Sequence, residues 1–71
     1  MYVEYNSNAE YKEAYLYIMD IYGKSIQEIP VVVSSGNNTI AYDASELSSS
    51  TYLVYIQAGG HRSTVKKFVK L

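Results

Sequence analysis

Seventy-one residues with a net charge of −1 and no cysteine make one small domain whose core must come from packing alone, since neither a disulfide framework nor a thiolate zinc site is available. Nine tyrosines and one phenylalanine against no tryptophan, within a hydrophobic content of 48%, favour strands over disorder, because aromatic and β-branched side chains suit a pleated, half-buried surface. All seven acidic residues lie at or before Glu46 while Arg62, Lys66, Lys67 and Lys70 crowd the end, a locally basic tail without the broad positive face of a nucleic-acid binder.

Residues 2–5 read as a first strand. Residues 14–19 are apolar or aromatic throughout and read as a second, with Ala14, Leu16 and Ile18 on one face and Tyr15, Tyr17 and Met19 on the other. Asp20 to Lys24 reads as a turn, since Asp bonds nearby backbone and Gly23 takes positive φ without steric cost. The return strand is expected at residues 25–29 with Ile26 as its core side chain; Pro30 lacks a ladder donor and puts residues 31–33 on an edge or out of pairing. Ser34-Ser35-Gly36-Asn37-Asn38 reads as a loop, and residues 39–42 as a short strand with Ile40 and Tyr42 on one face. The Asp43-x-x-Glu46 spacing fits a capping box and a single helical turn, closed by Leu47 packing inward.

Residues 51–57 form the strongest strand by composition, with Tyr52, Val54 and Ile56 facing in. Ala58 to Arg62 reads as a turn. Residues 63–71 are the last strand, in which Val65, Val69 and Leu71 share a face with Lys67, Phe68 lies opposite, and a bulge is allowed for. About six short strands at this spacing, with no long amphipathic helix, are the pattern of an all-β sandwich. No apolar run approaches the roughly 20 residues of a membrane helix, and residues 1–9 lack the charged-then-apolar layout of a signal peptide, so any export signal is expected elsewhere.

Taken in order, Ala14-x-Leu16-x-Ile18-x-Asp20-x-x-Gly23-Lys24-x-Ile26, Gly36-Asn37-x-x-Ile40-x-x-Asp43-x-Ser45-x-Leu47, Tyr52-x-Val54-x-Ile56 and Lys66-Lys67-Phe68-Val69-Lys70 resemble the C-terminal sorting domains of the type IX (Por) secretion system of Bacteroidetes-type bacteria. The resemblance spans residues 3–71. Two departures are Ser50 in place of the family's Gly before the x-Tyr pair, and a start at Met1-Tyr2-Val3 without the family's usual further first strand.

The resemblance implies an immunoglobulin-like antiparallel β-sandwich of six or seven short strands. It implies a single module, residues 1–71, that follows a passenger in a larger secreted protein, lacks its first strand or starts inside the domain, and leads the passenger by way of the periplasm and outer membrane to the cell surface or exterior. A secretion translocon and a sortase-like peptidase are the implied partners. The family-motif turns fall on Asp20, Gly23, Lys24, Asp43, Ser45, Leu47 and Tyr52. Recognition by the translocon is expected on Lys66, Lys67, Phe68, Val69, Lys70 and Leu71, where a terminal strand with an open edge adds to a receptor sheet while its lysines meet acidic groups. An exposed edge would also support a homodimer. The alternative is a fibronectin III or immunoglobulin-like spacer or adhesion module, whose Tyr-x-Val-x-Ile strand looks similar.

No catalytic, metal or cofactor site is expected. His61 stands alone in a turn, and metal sites and triads need several converging groups. Asp20, Asp43 and Glu46 each have a turn or cap explanation. Ser45 and Ser48 to Ser50 have no activating partner, and Gly59-Gly60 lacks the following helix and Lys-Ser/Thr of a phosphate loop. Asn37-Asn38-Thr39 matches a glycosylation sequon, a short and common pattern that a bacterial source would make irrelevant. Tyr15, Tyr17 and Tyr55 are expected exposed on one outer face, either paired across strands or forming a platform for sugar or protein.

Overall fold

The computed structural model describes residues 2–71. Seven antiparallel strands form two sheets: β1 (Tyr2–Ser7), β2 (Tyr11–Asp20), β3 (Ser25–Val33), β4 (Gly36–Ala41), β5 (Ser50–Ala58), β6 (His61–Arg62) and β7 (Lys66–Lys70). One sheet pairs β1 with β4; the other runs β3-β2-β5-β6, with β7 also paired to β5. The architecture is that of a small immunoglobulin-like sandwich, as the strand spacing and the resemblance led one to expect.

Period-two alternation sets the core. Ala14, Leu16 and Ile18 of β2 and Val54, Ile56 and Ala58 of β5 are all buried, and Leu16 pairs with Ile56 and Ile18 with Val54 across the ladder. The β1–β4 sheet closes one end of this face with Val3, Tyr5 and Ile40, while Tyr52, Leu47 and Phe68 gather around Ile18 and Val54 at the other. Each fully buried aliphatic side chain here contributes about 1.5–3 kcal/mol by leaving water.

Two bulges in the β2–β3 ladder explain where the strand expectations change. Tyr11 pairs with Val33 and Ala14 with Val31, so one extra residue in β2 lets Tyr11 reach the core side although it lies an odd number of residues from Ala14. At the other end Ile18 pairs with Gln27 and Met19 with Ser25, which leaves Ile26 as the extra residue. Ile26 is therefore 40% exposed instead of being the core side chain of its strand; Ile29, Val31 and Val33 take that place. Strand β3 continues through Pro30, which an edge strand tolerates.

The loop expected over residues 34–38 shrinks to Ser34-Ser35, because Asn37 and Asn38 find partners in Asn6 and Tyr5 of β1. Asn38 secures this join: its amide donates to the carbonyls of Tyr5, Ser34 and Gly36 at 3.1, 2.9 and 3.1 Å and accepts the Ser34 N–H at 2.8 Å. No helical turn forms at Asp43 to Glu46. Instead the Asp43 carboxylate accepts the Ser45 N–H at 3.0 Å, and one bond from Leu47 N–H to the Ala44 carbonyl at 3.0 Å closes a tight turn. Leu47 does pack inward, as expected.

Candidate recognition strand

The returning chain after β5 is one strand interrupted once. Gly59 and Gly60 both have positive φ, +58° and +80°, the backbone a two-residue hairpin turn needs, so His61 and Arg62 are already paired with Ala58 and Gln57 instead of lying in the turn. Gln57 faces Arg62 but Val54 faces Lys66, so three steps along β5 match four along the returning chain: one residue is extra.

Ser63 makes that bulge possible. Its N–H donates to the Ile56 carbonyl at 2.8 Å, and its hydroxyl accepts the Ile56 N–H at 2.8 Å, so the side chain replaces the backbone acceptor that the slip removes. The consequence is a change of face. Without the extra residue Lys67 would oppose Tyr52; with it Phe68 does, and Phe68 stacks on Tyr52 with ring centroids 6.4 Å apart. Lys66 and Lys70 share the inner parity of Phe68, whereas Lys67 and Val69 stand on the outer face, Val69 half exposed, and Leu71 is almost fully exposed at the end.

Among the described residues strand β7 hydrogen-bonds β5 alone, so its other edge is open. No ion pair involves Lys66, Lys67 or Lys70 among the described residues.

The family-motif turns gather beside this strand. Asp20 pairs with Tyr52, and its carboxylate accepts the N–H groups of Tyr22 and Lys24, both at 2.9 Å, around a Gly23 with φ +85°. Tyr52 is buried and donates its hydroxyl to the Ser48 carbonyl at 2.6 Å, tying the Asp43–Ser45–Leu47 turn to β5. The Ser45 hydrogen bonds hold the Asp43 carboxyl below the usual carboxylate range, with the charge of Lys70 adding a smaller pull. Asp20, Asp43, Ser45, Leu47, Tyr52, Phe68 and Lys70 thus lie at one end of the sandwich, while Gly23 and Lys24 form the exposed tip of its hairpin.

The outer tyrosines pair across strands. Tyr17 and Tyr55 stack at 4.9 Å and 17°, Tyr17 donates to Glu28 at 3.2 Å, and the Arg62 guanidinium sits 4.5 Å over the Tyr55 ring. Tyr55 is consequently buried, contrary to its expected exposure, while Tyr15 keeps 38% of its surface. Burial, then the Glu28 hydrogen bond, raises the Tyr17 phenol above its ordinary value. Sequence reasoning missed Ser63 and Asn38. A serine or asparagine in a polar stretch carries no mark of the long-range backbone group it will meet.

His61 is exposed on β6, and no group of three His, Asp or Glu side chains comes together among the described residues. Among the described residues no helix is long and apolar enough to cross a membrane. A family model described as secretion system C-terminal sorting domain matches residues 1–71. No curated protein and no solved structure matched the chain.

Proposed function

This chain belongs to the secretion system C-terminal sorting domain family, that of type IX secretion, and on that premise we propose that β7 is the part of the signal the export machinery reads. Membership makes the chain a sorting signal for export to the cell surface or exterior by that machinery. In the finer reading, residues 1–71 are the closing module of a larger secreted protein, carry a passenger through the translocon, and are parted from it by a sortase-like peptidase acting upstream. The module takes no catalytic part.

One observation carries the assignment to β7. It is an edge strand with an open side, and its three lysines make no ion pair among the described residues. Main-chain bonds along a free edge supply affinity in strand addition, and unpaired cations steer an acidic partner toward it. Lys66, Lys67, Val69, Lys70 and Leu71 form the contact surface, while Phe68 holds the strand to the domain. Asp20, Gly23, Lys24, Asp43, Ser45, Leu47 and Tyr52 shape the end of the sandwich on which that strand lies.

The test is export of a passenger fused ahead of the domain in a host that has the type IX system. Deleting residues 66–71, or replacing Lys66, Lys67 and Lys70 together by Glu, should leave the passenger in the periplasm. Lys12→Glu, on β2, should not. Undiminished secretion of the tail deletion would overturn the assignment.

A further inference from the structure

β1 has a second open edge, and it borders the same groove as the β6–β7 break. Among the described residues β1 pairs only with β4. Three adjoining concavities of about 400, 370 and 270 Å³ run along it, and Glu4 and Lys66 line every one. The largest has the buried Val3, Val54 and Ile56 in its lining, with Arg62 at its rim.

From this we infer that the groove takes an extended, acidic segment of a partner polypeptide, added as a strand along β1. Three features select that occupant. An unpaired strand edge presents alternating N–H and C=O groups, which another extended backbone satisfies and which a sugar or a lipid headgroup does not. Apolar side chains below the edge suit the small apolar residues that alternate with polar ones along such a strand. Lys66 and Lys67 outnumber Glu4, the one acid of the three linings, and no ion pair among the described residues engages them, while Arg62 is held over the Tyr55 ring, so carboxylates on the alternate positions are favoured. The six residues of β1 accept a segment of about 20 Å.

The inference rests on the reading of β7 for placing the partner in the export machinery, but the binding itself does not depend on that reading.

The experiment titrates the isotope-labelled 71-residue chain with a blocked hexapeptide of alternating valine and glutamate, followed by amide chemical shifts. A valine–lysine hexapeptide serves as control. The glutamate peptide should shift Val3, Glu4, Tyr5 and Asn6 together with Ser63 and Lys66. Lys66→Gln should weaken binding about two- to fivefold and Glu4→Lys should tighten it by a similar factor, whereas Lys12→Gln, on β2, should leave it unchanged.

Several results would overturn the inference: no shifts at millimolar peptide, equal binding of the lysine peptide, shifts confined to β3 or the tyrosine face, or a dimer of the chain itself filling the groove. The export assay separates the two proposals. A flat response to Lys66→Gln and Glu4→Lys, with export still lost on tail deletion, sinks the groove and spares the sorting role of β7. Binding as expected, with normal export of the deletion, does the reverse.

Discussion

Replacing Phe68 by alanine tests whether β7 is held to the domain by one side chain. Complete burial of a phenylalanine makes its loss cost about 3–5 kcal/mol, and Phe68 is only partly buried, against Tyr52, Ile18 and Val54, so about 2 kcal/mol is expected. A domain of 71 residues has roughly 4–10 kcal/mol in total, so the loss is a large share. At about 4–8 °C per kcal/mol for this size, the melting temperature should fall by roughly 10 °C. Val69→Ala, on the next residue but with its side chain half exposed on the outer face, should cost at most about 0.5 kcal/mol. Thermal melts of both variants give the contrast. Amide exchange adds a local readout, because β7 makes its ladder with β5 and protection of Tyr52, Val54 and Lys70 should drop in Phe68→Ala before that of Tyr17 or Tyr55 in the β2–β5 ladder. If Val69→Ala proves the more damaging, the inward orientation imposed by the bulge is wrong.

Asn38→Ala should destabilise by about 2 kcal/mol, seen as a lower urea midpoint at unchanged slope, because it orphans backbone groups of Tyr5 and Ser34 that join the two sheets. Gly59→Ala should lower the melting temperature well beyond Gly60→Ala: both strain a positive φ, but a methyl at Gly59 collides with the Tyr11 ring while Gly60 has open space. In alkali, the raised Tyr17 phenol contributes stability that is complete below its unfolded value of 10.0 and is lost as pH rises through the folded value, so urea midpoints between about pH 9 and 11 should fall less steeply in Tyr17→Phe. On the acid side the lowered Asp43 carboxyl acts in the opposite sense: its contribution is present above 3.8 and lost as pH falls through the folded value, and Asp43→Asn should flatten that limb of the same titration.

Alternation in residues 14–19 and 51–57 already places Ala14, Leu16, Ile18, Val54 and Ile56 inside, because a period of two on a half-buried sheet admits one solution per strand. The Asp20 turn and the open-edged basic strand at the end are equally local, since Asp, Gly and unpaired lysines act through their own neighbourhood. Three features depend on contacts distant in the chain. Asn37 and Asn38 become strand only because β1 lies beside them, and Ile26 is turned out by a bulge that the pairing with β2 creates. Phe68 faces the core because Ser63 offers its hydroxyl to a backbone N–H seven residues earlier. Side-chain parity is a property of one strand, but which parity faces inward is set by register against another. That choice is made by tertiary pairing, and it places Lys66 beside Glu4 at the groove where two open edges meet.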